Sequence, residues 1–153
     1  MNEKFVNTLS ILHKTASVVE ATNFLNEEVS ADIKAQGGIT PLHFNENYKV
    51  LKLLIDRGAD VNASRDDGQT PLHIQNDSKI VQLLIDNGAN VNALNMYGDT
   101  PLHLSETLEK VKLLVSNGAD INILNEDNEL PDDCYGEDME SQNMINFLVS
   151  MRD

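Results

Sequence analysis

The sequence lacks several features that would indicate particular classes of protein. It has no tryptophan, and aromatic residues make up 5% of its 153 residues, which excludes a core built on large rings. Its one cysteine, Cys134, cannot form an internal disulfide, so a reducing compartment such as the cytoplasm is expected. It also has no apolar run of about 18 residues and no basic segment followed by an apolar one at its start, so neither a membrane span nor a signal peptide is expected.

Positive charge is also scarce. The chain has 11 lysines and arginines against 25 aspartates and glutamates, a formal net charge of −14. Such a balance disfavours nucleic acid and anionic membrane surfaces, which are usually bound through basic residues. The charge is uneven, because residues 98–153 carry −10 of it. An acidic end of this kind would attract a basic partner; the alternative is that it only keeps the chain soluble.

The few histidines and prolines reveal an internal repeat. Each set recurs at one constant interval: His13, His43, His73 and His103, and Pro41, Pro71, Pro101 and Pro131. A period of about 30 residues indicates a repeat array. Three units align without gaps, over 38–67, 68–97 and 98–127, and we call them the first, second and third central units. Each contains the same tetrad: Thr40, Pro41, Leu42 and His43; Thr70, Pro71, Leu72 and His73; Thr100, Pro101, Leu102 and His103.

Local chemistry predicts the conformation of each unit. The threonine before each proline is a good helix N-cap, and proline suits the first helical position. Six residues after the proline comes a second N-cap residue, which predicts a second helix that carries a leucine pair and ends at a glycine. A turn follows before the next unit. Each unit is therefore predicted to form helix, turn, helix and hairpin loop, with second-helix caps at Asn47, Asp77 and Thr107 and terminal glycines at Gly58, Gly88 and Gly118.

These units resemble ankyrin repeats, through the Thr-Pro-Leu-His tetrads and the Leu-Leu…Gly-Ala-(Asp/Asn)-(Val/Ile)-Asn segments. The resemblance implies an all-α repeat solenoid of stacked helix-turn-helix units with hairpin loops. We expect a single domain over 1–153, monomeric on its own, in which 1–37 and 128–153 are degenerate caps. Each central unit is three residues shorter than the family's unit of about 33 residues. The missing residues fall after the histidine, so the first helix should be about one turn shorter.

No arrangement of residues supports catalysis, a cofactor or a metal ion. The histidines should stack as a ladder instead of converging on one ion. Cys134 has no nearby histidine, and neighbouring carboxylates disfavour its thiolate. A remote alternative is that the acidic C-terminal segment binds a cation or acts enzymatically, through Asp132, Asp133, Glu137, Asp138 and Glu140.

The hairpin tips are the predicted partner-binding positions. The resemblance implies binding through these tips and the first helices, at the two residues before each unit glycine and the one after it. The middle tip is apolar and aromatic, and we expect it to centre a binding patch with an acidic rim. The alternative is that its side chains fold back onto neighbouring tips. The predicted positions are Asp66, Asp67 and Gln69; Met96, Tyr97 and Asp99, flanked by Leu94; and Glu126, Asp127 and Glu129.

The sequence therefore predicts a non-enzymatic protein-binding module that blocks or tethers a partner protein. One form is an inhibitor or immunity-type protein that masks a basic partner. A second form is a pathogen or viral effector that binds a host protein in the host cytoplasm.

Overall fold

The computed structural model describes Thr22 and residues 30–152, and short helices alternate with long ones in its first two central units. Two short turns of 3₁₀ helix are also present: Gln36–Gly38 lies just before the first tetrad, and Pro131–Cys134 lies just before the last helix. Within these residues there is no strand, and the predicted all-α repeat class is confirmed. His13 and most of the predicted N-terminal cap lie outside the described residues. The helices are α1 Pro41–Phe44, α2 Tyr48–Asp56, α3 Pro71–Ile74, α4 Ser78–Asp86, α5 Leu108–Ser116 and α6 Met139–Arg152.

The long helices begin and end where the sequence predicts. The Asn47 side chain accepts hydrogen bonds from the first turn of α2, and Asp77 does the same for α4. Thr107 accepts a hydrogen bond from Lys110 N, at 3.3 Å, at the start of α5. Each helix is followed by a glycine in the left-handed region, with φ between 88° and 89°, at Gly58, Gly88 and Gly118. These local signals therefore fix helix length before any packing is considered.

The core runs along the stack. Helix α4 packs against α2 on one side and α5 on the other, and α5 packs against α6. One leucine of each pair is fully buried, as is the tetrad leucine of the first two units: Leu54, Leu84, Leu114, Leu42 and Leu72. Each unit thus buries its apolar face against its neighbours, as a solenoid requires. No helix among the described residues is long and apolar enough to cross a membrane.

The first helices are short, as the shortened repeat period predicts. Helices α1 and α3 have four residues each. In the third central unit the prediction of a helix is wrong, because residues 101–104 form a turn. There the Ser105 hydroxyl donates to Pro101 O at 2.9 Å, and Ser105 N bonds Leu102 O. In the second unit Gln75 N instead makes the helical bond to Pro71 O. A serine side chain that competes for a helical carbonyl explains the difference.

Such short helices leave carbonyl groups that need donors. In each case a side chain of the following unit supplies one. Gln75 Nε2 donates to Leu42 O and His43 O, each at 3.1 Å. Lys110 Nζ donates to His73 O at 3.1 Å, and Tyr135 OH donates to Leu102 O at 2.7 Å. We call Gln75, Lys110 and Tyr135 the cross-unit caps.

Candidate protein-binding surface

The hairpin tips form a continuous row along one edge of the stack. One backbone hydrogen bond of 2.9 Å joins each tip to the next, such as the bond from Met96 N to Asp67 O and that from Glu126 N to Tyr97 O. Gly68 has φ 81°, and a Cβ there would lie 3.0 Å from Asn95 Cα. The tips therefore approach so closely that only glycine fits at this position.

The middle tip presents a group of exposed apolar side chains. Tyr97 is 54% exposed, and Leu94 and Met96 are each 56% exposed. Leu124, the equivalent of Leu94 in the next unit, is 53% exposed on its own tip. We call these four residues the tip patch. Met96 and Tyr97 therefore remain more than half exposed to solvent.

The backbone of the middle tip does not depend on its large side chains. Asn95 is 7% exposed, and its Oδ1 accepts hydrogen bonds from Tyr97 N at 2.8 Å and Asp99 N at 2.9 Å. The asparagine therefore holds the turn. The hydrogen bonds of Asn95 to this turn do not involve the side chains of Met96 and Tyr97.

The remaining predicted tip residues divide into two groups. Asp66, Glu126, Asp127 and Glu129 are exposed, whereas Asp67, Gln69 and Asp99 are partly buried. Asp67 accepts a hydrogen bond from Gln69 N at 3.0 Å and faces Arg65 at 3.3 Å. Asp99 accepts a hydrogen bond from Asn125 Nδ2 on the next tip, at 3.0 Å. The partly buried residues therefore hold the tips together, in addition to whatever they contact in a partner.

The three described histidines form a structural ladder. In the first unit His43 Nδ1 accepts a hydrogen bond from Thr40 N at 3.1 Å and lies 2.9 Å from Thr40 Oγ1. Its Nε2 lies 3.1 Å from Gln69 O of the next unit and must therefore carry the proton that it donates. His73 and His103 repeat the arrangement. Burial lowers the pKa of His73, which favours its neutral form.

The family model for ankyrin repeats (3 copies) matches residues 44–125, more than half of the chain. The chain belongs to the ankyrin-repeat family. Ankyrin repeats are protein-binding modules, so the coarse prediction of a protein-binding function is confirmed. A search of curated proteins found no match.

The acidic end of this ankyrin array has little compensating positive charge at its surface. Of the three cations in residues 98–152, Lys110 is 0% exposed. Arg152 makes two hydrogen bonds to the carboxylate of Asp132 and a third to Ile121 O, at 2.8 Å. That pairing lowers the pKa of Asp132. Lys112 remains exposed, with its ammonium 6.0 Å from the centre of the Phe147 ring. The surface is therefore more acidic than the formal charge indicates.

The burial of Lys110 could not be read directly from the repeat motif. The equivalent residues in the preceding units are Val50 and Ile80, which are 0% and 2% exposed. Burial lowers the pKa of Lys110 to about 7, and the nearby carboxylate of Glu106 partly opposes this shift. The repeat register was the available signal, because it places this lysine at a position that is apolar in both earlier units.

Cys134 is not an activated nucleophile in this ankyrin array. Burial, and then the carboxylate of Glu129, raise the pKa of its thiol to about 12. The predicted direction is therefore correct, although burial and Glu129 cause it more than the carboxylates adjacent in sequence. Among the described residues, no cluster of three or more histidine, cysteine, aspartate or glutamate side chains could hold a metal ion. Of the acidic C-terminal side chains, Asp132 pairs with Arg152, and Asp138 caps α6 by accepting hydrogen bonds from Ser141 N and Oγ.

Proposed function

We propose that this ankyrin protein is a non-enzymatic cytoplasmic module that binds a basic protein and blocks or tethers it, in the manner of an inhibitor or immunity protein. The tip patch, centred on Met96 and Tyr97, would provide the apolar centre of the contact. The observation that carries the proposal is the exposure of this patch beside an acidic surface in which Lys110 is buried and Arg152 is paired with Asp132.

Each part of the surface would have a separate role. Exposed aromatic and methionine side chains are typical centres of protein interfaces, where they supply most of the affinity. Exposed carboxylates on neighbouring tips, such as Glu126 and Asp127, would form the rim. Rim charges mainly raise the rate of association and select the sign of the partner.

The test is affinity capture followed by mass spectrometry at low and high salt. The wild-type chain is compared with a Met96→Ala/Tyr97→Ala variant. A matched control is Tyr48→Ala/Met151→Ala, which removes one tyrosine and one methionine that are 41% and 52% exposed on helices away from the tips.

We expect a basic partner whose yield falls at high salt, because salt of about 1 M reduces the screening length to about 3 Å. The tip variant should lose this partner and the control should keep it. A partner that is neither basic nor salt-sensitive, or that the tip variant retains, would contradict the proposal. Recovery only from the lysate of a host would favour an effector over an inhibitor.

A further inference from the structure

Two asparagines stand directly before a glycine, each at the end of a long helix. Asn87-Gly88 follows α4, and Asn117-Gly118 follows α5. Asparagine precedes glycine at these two positions alone in the sequence. Because glycine has no Cβ, its backbone nitrogen can approach the preceding side-chain amide with little hindrance. These two pairs are therefore the positions of the chain best suited to deamidation.

The fold engages both reacting groups of each pair in hydrogen bonds. The Asn87 side-chain amide donates to Leu83 O at 2.8 Å, and Gly88 N donates to Ile85 O at 2.9 Å. The second pair repeats these two bonds, to Leu113 O at 2.8 Å and to Val115 O at 3.1 Å. The glycine nitrogen can therefore attack the side-chain carbonyl carbon only after these bonds open.

A side chain of the preceding unit holds the loop after each helix from the other side. Asn62 Nδ2 donates to Gly88 O at 3.0 Å, and Asn62 Oδ1 accepts a hydrogen bond from Asn90 N at 2.8 Å. Asn92 repeats both bonds in the next loop, to Gly118 O at 3.1 Å and from Asp120 N at 2.8 Å. We call Asn62 and Asn92 the ladder asparagines.

Burial does not protect either pair. Both asparagines and both glycines are exposed. An added Cβ at either glycine would meet no atom of the described residues within 4 Å, its chain neighbours aside. Water can therefore reach both pairs, which leaves the hydrogen bonds as the restraint on the reaction.

We propose that Asn87 and Asn117 are sites of deamidation, and that the ladder asparagine of the preceding unit controls the rate at each site. After the loop opens, Gly88 N loses its proton and attacks Cγ of Asn87. The new C–N bond replaces the bond to Nδ2, which leaves as ammonia. Water then opens the cyclic imide to aspartate or isoaspartate, so the whole reaction consumes one water and releases one ammonia.

The product would weaken the end of the helix. An aspartate at position 87 cannot donate to Leu83 O, and its negative charge would lie at the negative end of the helix dipole. Isoaspartate would also add one carbon to the backbone. We therefore expect the modified chain to unfold at a lower urea concentration. Neither pair belongs to the tip patch, so the reaction is separate from the proposed binding function.

The test is incubation of the full chain at neutral pH, followed by peptide mapping with mass spectrometry that distinguishes asparagine, aspartate and isoaspartate. Rates at both sites are measured in buffer and in urea that unfolds the chain. The variants are Asn62→Ala and Asn92→Ala, and in each the other site is the matched control.

A finer variant is Asn62→Asp, which keeps the acceptor for Asn90 N but removes the donor to Gly88 O. The fold already accepts an aspartate at the equivalent position of the preceding unit, because Asp32 Oδ1 accepts a hydrogen bond from Asp60 N at 2.7 Å. This variant therefore tests the bond to the glycine without emptying the position.

We expect similar rates at the two sites in urea and rates at least about tenfold lower in buffer, where the reaction requires local opening. Asn62→Ala should raise the rate at Asn87 about three- to tenfold, because it removes two hydrogen bonds from that loop. It should change the rate at Asn117 by less than about twofold. Asn92→Ala should show the reverse pattern, and Asn62→Asp should lie between the wild-type chain and Asn62→Ala.

Equal rates in buffer and in urea would overturn the proposal, as would the absence of deamidation at either site in urea. Variants that leave every rate unchanged would also overturn it. A similar acceleration at both sites in Asn62→Ala would do the same, because a general loss of stability would then explain the rates. Urea denaturation of each variant measures that general loss separately.

Discussion

The second and third central units share their sequence motifs but differ in one buried residue, in the conformation of the first segment and in net charge. Both have the Thr-Pro-Leu-His tetrad, a buried leucine pair member and a terminal glycine. At one buried position, however, the second unit has Ile80 and the third has Lys110. The first segment is the helix α3 in one and a turn in the other. Their net charges are −1 and −4.

The comparison explains why a lysine occupies a core position. Gln75 is long enough to reach the carbonyl groups of α1 in the preceding unit. Its equivalent in the third unit is Ser105, whose hydroxyl bonds Pro101 O within its own unit. The carbonyl of His73 therefore needs another donor, and Lys110 Nζ supplies it. Lys110 therefore compensates for the replacement of a glutamine cap by Ser105 in the third unit.

The largest predicted effect tests what the two units share. Leu84→Ala and Leu114→Ala each remove a fully buried side chain and should lower the free energy of unfolding by about 2–5 kcal/mol. The measurement is urea denaturation followed by circular dichroism. Leu94→Ala, on an exposed tip, should change it by less than about 0.5 kcal/mol. If the free energy of unfolding fell only slightly for one of the two variants, the leucine of that unit would not belong to the common core.

The next effect contrasts the inside of the tip row with its end. Gly98 has φ 76°, and a Cβ there would lie 3.0 Å from Glu126 N, so Gly98→Ala should cost about 1–3 kcal/mol. Asn128 takes the equivalent position after the last described tip, with φ 61°. Asn128→Gly should therefore be neutral or stabilise by less than about 1 kcal/mol. Thermal unfolding compares the two variants, and equal losses would refute the contrast.

The cross-unit caps should differ in strength. Gln75→Met keeps the length of the side chain but removes the donor to two carbonyls of α1 and to Asn45 O, at 3.2 Å. It should cost about 1–3 kcal/mol, and Tyr135→Phe, which removes one hydrogen bond, about 1 kcal/mol. Denaturant unfolding measures both variants. If Tyr135→Phe proved the more costly, the number of carbonyls capped would not determine the effect.

The last effect depends on pH and concerns Lys110 of the third unit. Burial lowers the pKa of Lys110 to about 7 in the folded chain. Between about pH 7 and 10.4 the unfolded chain therefore binds one more proton than the folded chain. The stability of the wild-type chain relative to Lys110→Met should therefore rise by about 1–2 kcal/mol from pH 6 to pH 8.5. The raised pKa of Cys134 lowers the stability of both chains at higher pH, and this contribution cancels when the two chains are compared. A difference that is constant with pH would mean that Lys110 titrates normally.

Much of the fold could be predicted from sequence because its signals are local. Asn47, Asp77 and Thr107 cap their helices through residues two or three positions away. Gly58, Gly88 and Gly118 end those helices because of their own φ angles. Three aligned copies made each signal stronger than it would be alone.

The parts that could not be predicted depend on contacts between units. Lys110 is a residue type that is rarely buried, and its burial depends on the hydrogen bond that it donates to the carbonyl of His73 in the preceding unit. The turn at 101–104 depends on a competition for Pro101 O that helix propensity does not describe. The exposure of Tyr97 depends on Asn95, which holds the turn in its place. Leu124 carries a signal in the register, since it repeats the position of Leu94 in the preceding unit.

The cross-unit caps also have a consequence for synthesis of the chain on the ribosome. Gln75 lies 33 residues after Leu42, Lys110 lies 37 residues after His73, and Tyr135 lies 33 residues after Leu102. A first segment that has just been translated therefore waits for more than one further unit before its carbonyl groups are satisfied. These carbonyl groups are therefore hydrogen-bonded in order from the N-terminus to the C-terminus, about one unit behind the growing chain.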